Sequence, residues 1–170
     1  MERIDLAVRF KDRFDNILEC ITTLGFILML LCVVMQVVFR YAVHVPIPWT
    51  EEAARYFLIF VTFWGGAVAI RTREHISIPV LLDRLPKGAS LFIQLIFIVA
   101  MGVFLVVVFR GSIVMTALTW NSPVGSISWL TLGRVYLILP TGTSLMLIYL
   151  VAWALEILTE LRDITKAKAG

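Results

Sequence analysis

The chain has 170 residues, of which 60% are hydrophobic and 16% charged, with a formal net charge of +3. Soluble domains carry about 25% charged residues, so this composition excludes an ordinary water-soluble globule and makes lipid the main solvent. A nucleic-acid binder is also excluded, because the positive residues stand at the ends of apolar runs instead of forming one dense patch.

Residues 1–16 read as an amphipathic arm: Ile4, Val8 and Phe14, continued by Ile17 and Leu18, recur at helical spacing among charges, which suits a helix lying in the cytoplasmic membrane interface. The first span is expected at about 17–43, with a dense apolar core from Leu24 to Phe39 broken only by Gln36. Glu19 would cost about 3 kcal/mol at a helix centre, but it is expected in the first turn, within reach of headgroups and the positive end of the helix dipole. A cleavable signal carries an apolar stretch of about 7–15 residues and a small-residue cleavage site; this run is longer and ends in Val38, Phe39, Arg40, Tyr41, so it is expected to be retained. Cys20 and Cys32 lie twelve positions apart in it, about 18 Å along a helix, and are expected as buried free thiols.

The second span, about 49–70, reaches spanning length only if the turns from Trp49 are counted with the apolar stretch Tyr56 to Ile70. Thr50 is expected to cap it, with Glu51 and Glu52 in the first turn, where the dipole favours anions, and Arg55 one turn below. That cluster terminates a transmembrane helix well, and it could equally hold acidic groups at a fixed height for another protein. Gly65 and Gly66 allow close backbone approach. In the next connection Arg71, Arg73, Glu74 and His75 precede Ile76, Ile78, Leu81, Leu82 and Leu85, a second pattern suited to a cytoplasmic interfacial segment.

The third span is expected at about 89–119. Its heart, Ala89 to Phe109, is twenty-one residues with only Ser90 and Gln94 strongly polar, roughly 31 Å of helix. The fourth, about 134–157, has its apolar stretch Val135 to Leu155 between Arg134 and Glu156. Pro140 is expected to bend or loosen it, and Thr141, Gly142, Thr143 and Ser144 to let helices approach, as does Gly102 in the third span. Residues 158–170 form a tail. The fold class is therefore an all-α membrane protein, a single domain of four transmembrane helices with amphipathic interfacial helices on the cytoplasmic side.

Orientation follows from the positive charges. Arg3, Arg9, Lys11 and Arg13, then Arg71, Arg73, Arg84 and Lys87, then Arg162, Lys166 and Lys168 fall on one side, against Arg40, Arg55, Arg110 and Arg134 on the other. The positive-inside rule places both termini in the cytoplasm, as an even number of spans requires.

Ionisable groups deep in the apolar region mark most pumps and membrane enzymes, and here the spans carry almost none. His44 and His75 fall outside the apolar cores on opposite sides, so they cannot ligate one haem. The residues assemble no nucleophile and base pair, metal-ligand cluster or phosphate loop. No catalytic residue, metal or cofactor is expected.

Trp49, Glu51, Glu52 and Arg55, then Phe63, Gly65 and Gly66, then Arg71, His75 and Ile76, and finally Leu85 and Pro86 resemble the central signature of the small membrane subunit of TRAP (tripartite ATP-independent periplasmic) transporters. Phe39, Arg40, Tyr41 and the later Ser122, Pro123, Trp129, Tyr136, Leu139, Pro140 and Gly142 look like the same family, and Pro79 departs from its pattern. The resemblance covers nearly the whole chain. It implies a bacterial inner-membrane scaffold subunit of a sodium-coupled secondary transporter for organic anions, dicarboxylates or sialic acid among them. A large multi-span subunit would hold the substrate and sodium sites, and a periplasmic binding protein would deliver substrate. Contacts with these partners and with membrane lipids are then expected at Arg40, Trp49, Glu51, Glu52, Arg55, Gly65, Gly66, Arg71, His75, Pro140 and Gly142, with Arg40 pairing to one of the glutamates. Two other classes share this size and layout: the anchor subunit of a respiratory oxidoreductase, and a small multidrug exporter working through Glu19.

Overall fold

The computed structural model describes residues 2–45, 47–72, 87–127 and 129–169. Helix α1 is Glu2–Val38 and is extended by a π-helical turn, Phe39–Val43. Helix α2 is Pro48–Arg71, α3 is Lys87–Leu118, α4 is the short Leu132–Tyr136 and α5 is Ile138–Ala169. Four helical segments are long and apolar enough to cross a membrane: Arg13–Val43, Pro48–Arg71, Gly88–Leu118 and Leu132–Arg162.

Several boundaries correct the sequence reading. No break divides the arm from the first span, so Glu19 lies well inside a continuous helix and not in a first turn where the helix dipole would favour it. At the far end of α1 the chain widens into the π turn, where the Phe39 carbonyl accepts from both the His44 and the Val45 N–H. His44 then takes a left-handed conformation, φ 58°, which ends the helix much as a C-terminal glycine would. Thr50 does not cap α2. Pro48 occupies the first helical turn after the extended Ile47, and the Thr50 hydroxyl, fully buried, donates to the Ile47 carbonyl at 2.7 Å. The fourth span is interrupted at Leu137, ahead of Pro140. The second interfacial segment, with His75 and Pro79, lies outside the described residues.

The helices pack as a row and not as a closed square: α1 against α2, α2 against α5, and α5 against α3. The main core is the α3–α5 seam, with Leu91, Ile98 and Leu105 meeting Leu150, Trp153 and Ile157, and Ile70 of α2 joining from the side. Leu91, Ile98, Leu105 and the buried Ser112 recur every seven residues, the period that keeps one stripe of a helix facing its neighbour. The α2–α5 seam is tighter. A Cβ on Gly142 would stand 2.6 Å from Phe63 Cβ and 3.1 Å from the Phe63 backbone, so only glycine admits this approach. The two helices at the ends of the row leave large apolar side chains bare, among them Leu31 and Val34 on α1 and Val103 and Val107 on α3. Such faces suit lipid or a partner and not water.

Candidate functional site

Among the described residues, two groups of polar side chains join separate elements, and each is named by one residue. At the Arg71 end, the guanidinium at the last turn of α2 reaches Asp15 Oδ2 at 3.4 Å and Glu19 Oε1 at 3.2 Å, two carboxylates one turn apart on α1. The Tyr149 hydroxyl of α5 donates to the other Asp15 oxygen at 2.5 Å. Asp15 is buried, and its charge is met by an opposite charge and a hydroxyl from two further helices. One network thus joins α1, α2 and α5.

At the Glu52 end, the loop between α3 and α4 folds back on itself, with Val124 N–H donating to Leu130 O and Leu132 N–H to Ser122 O. Glu52 of α2 receives this loop: its Oε2 accepts from the Ser126 N–H at 3.1 Å and from the Ser126 hydroxyl. Glu51 instead pairs with Arg55 at 3.3 Å and accepts from Gln36 Nε2 of α1 at 3.4 Å. Arg40 pairs with neither glutamate among the described residues; its guanidinium lies over the Tyr41 ring, 5.9 Å from the centroid. The expected Arg40–glutamate link is therefore corrected. Trp49 is exposed beside this cluster, as are Trp120 and Trp129 of the α3–α4 region, aromatic side chains suited to a membrane–water boundary.

Pro140 has a structural role that explains the interruption at Leu137. Lacking an N–H, it leaves the Tyr136 carbonyl without its helical donor, and the buried Thr116 hydroxyl of α3 donates to that oxygen at 3.2 Å while also bonding Ser112 O at 2.7 Å. Gly133 lets α4 sit directly on the end of α3, where a Cβ would come within 2.4 Å of Trp120 Cα.

Of the residues singled out from the sequence, Arg71, Glu51, Glu52 and Arg55 enter these networks, and Gly65, Gly66 and Gly142 face Thr22, Met146 and Phe63 within the chain. Asp15, Tyr149, Ser126 and Thr116 were missed. Asp15 had a readable signal, since it precedes Glu19 by four positions and so shares its helix face. The cysteines are unpaired as expected, but Cys20 is exposed and Cys32 half-buried instead of buried. Among the described residues, no group of three His, Cys, Asp or Glu side chains could hold a metal ion.

Residues 29–160 match the family described as tripartite ATP-independent periplasmic transporters, DctQ component, a stretch that takes in most of the four spans and the Glu52 cluster. The chain belongs to this family. It is 32% identical over 117 residues to a TRAP transporter small permease protein of Haemophilus influenzae (strain KW20 / Rd), covering 69% of this chain and 71% of that relative. It is also 32% identical over 81 residues to the sialic acid TRAP transporter small permease protein SiaQ of Vibrio cholerae, covering 48% and 47% of the two chains. A third match, 32% over 76 residues, is to the sialic acid TRAP transporter permease protein SiaT of Haemophilus influenzae (strain 86-028NP), where 42% of this chain aligns with 12% of a far longer protein. The chain is a small permease component of a TRAP transporter, a membrane transport subunit and not an enzyme. Membership sets aside the respiratory anchor and the small exporter, and Glu19, held by Arg71, is accounted for as a helix-joining group.

Proposed function

We propose that this small permease component is a non-catalytic brace for the large subunit of a sodium-coupled TRAP transporter of organic anions, sialic acid or dicarboxylates, in the bacterial inner membrane. The observation that carries this reading is the use to which the polar side chains are put. Asp15, Glu19, Arg71 and Tyr149 at one end and Glu52 with Ser126 at the other join helices and loop to one another, while the seam between α3 and α5 is apolar. Groups committed in this way stiffen a scaffold and offer no relay for an ion.

The SiaT match supports a close partnership, because a segment like this chain makes up a small part of a much longer permease there. The names of two relatives favour sialic acid as the transported anion. The charge count favours the Arg71 end in the cytoplasm, an orientation in which the Glu52 end, with its clamped loop, faces the periplasm and the binding protein. An open apolar groove of about 400 Å³ between α1, α2 and the start of α5, lined by Leu24, Phe57, Phe60 and Ile138 among others, is suited to lipid chains.

Reconstitution tests the reading. Vesicles holding the chain alone should take up no sialic acid or dicarboxylate under a sodium gradient, and vesicles holding the large permease and binding protein should need the chain for full uptake. Flux through the chain alone overturns the proposal.

A further inference from the structure

Arg110 is a cation that the bundle leaves on an apolar face. It sits in α3 eight residues before the helix ends at Leu118, and its side chain is exposed. The neighbours one turn away on the same face are Val106, Val107, Ile113 and Val114, all exposed, and the stripe runs on to Leu118 at 75% exposure. Among the described residues, no hydrogen bond or ion pair engages Arg110.

Its depth in the bundle follows from two fixed points between α3 and α5. Gly102 lies against Leu150, where a Cβ would be 3.6 Å from the leucine side chain, and Thr116 bonds the Tyr136 carbonyl at 3.2 Å. Arg110 is midway between these points, level with Gly142, which in turn packs on Phe63 and Trp64 well inside α2. The remaining helix beyond it is about 12 Å long with apolar residues throughout this face, and a helical side chain leans toward the N-terminus of its helix, away from that end. A guanidinium set among exposed apolar side chains at this level suits an acceptor from outside the chain, and arginine is the cation best matched to a carboxylate.

We propose that the α3 face centred on Arg110 is the surface on which this chain meets the large permease, and that a membrane-spanning segment of that permease presents a carboxylate to Arg110. This assignment rests on the brace reading and specifies which face does the bracing. The opposite side of α3 is already committed to α5 through Leu91, Ile98 and Leu105, which leaves the Arg110 side for a partner.

The test is co-expression of the full chain with the large TRAP permease of the same organism, tagged, and measurement of how much chain is recovered with it. Arg110→Glu should reduce recovery at least tenfold and Arg110→Gln severalfold, while Arg110→Lys retains most of it and Arg134→Glu, an exposed cation at the far end, leaves it unchanged. The variant chains purified alone should keep wild-type helicity and elute as single species, since the side chain is exposed and makes no hydrogen bond or ion pair among the described residues. A carboxylate-to-lysine change in the permease that restores Arg110→Glu would identify the acceptor. Wild-type recovery of both Arg110→Glu and Arg110→Gln overturns the docking face and leaves the brace reading intact. Failure of the wild-type chain to be recovered at all overturns both.

Discussion

The two polar ends of this bundle use similar residues to different effect. At the Arg71 end the side chains of Arg71 and Asp15 are 20% and 11% exposed, and the network crosses three helices. At the Glu52 end the Arg55 and Glu51 side chains are 64% and 59% exposed and belong to one turn of one helix. A half-buried ion pair between elements fixes their register, because removing either partner strands the other away from water. An exposed pair within a helix adds little. The comparison therefore separates a structural lock from a surface open to a partner.

Breaking the lock should have the largest effect. Arg71→Met leaves Asp15, among the described residues, with the Tyr149 hydroxyl alone, and the uncompensated carboxylate should destabilise the chain by about 3 kcal/mol or more. Thermal unfolding of the detergent-solubilised protein reads this out. The double change Asp15→Asn with Arg71→Met should recover part of the loss, since the buried carboxylate is then gone and the Glu19 side chain that also loses Arg71 is half exposed to its surroundings; a double variant as unstable as the sum of the two singles would mean that the groups do not interact.

Much of the fold was legible in the sequence, and the two ends show where that legibility stopped. Each expected span announces itself through the length of its own apolar run, which is why four helical segments long and apolar enough to cross a membrane are found. The register between helices is not a property of any one segment. Nothing local states that Asp15 would face Arg71 fifty-six positions later, so the lock was invisible although Asp15 and Glu19 share a face. Thr50 was read as a cap because threonine favours that role, but Pro48 two residues earlier is pre-set for the first helical turn and moved the start. Pro140 was rightly singled out as a disturbance of its helix. The interruption falls at Leu137 because the bond a proline removes is the one to the carbonyl four residues before it.

The loop clamp at Glu52 should rank second. Glu52→Gln keeps the side chain's shape and one acceptor but removes the charge that strengthens both bonds to Ser126, at a cost of about 1 kcal/mol. Faster proteolytic cleavage between residues 121 and 130, with little change in global unfolding, is the expected signature. Charge reversal, Glu52→Lys, sharpens the comparison further. Reduced uptake with intact assembly would assign this end to the binding protein, whereas unchanged uptake and assembly would reduce the cluster to ordinary helix termination.

The smallest effect is expected for Glu51→Gln. Its partner Arg55 lies one turn along the same exposed helix face, and pairs of this kind contribute about 0.3 to 0.5 kcal/mol, less still in salt. Its second contact, from Gln36 at 3.4 Å, is long and survives in the amide. Stability measured at low and at high salt should therefore differ little between Glu51→Gln and the parent. If uptake nonetheless falls, then Glu51 acts outside the chain, and the exposure that makes it energetically idle within the fold is what leaves it free to meet a partner.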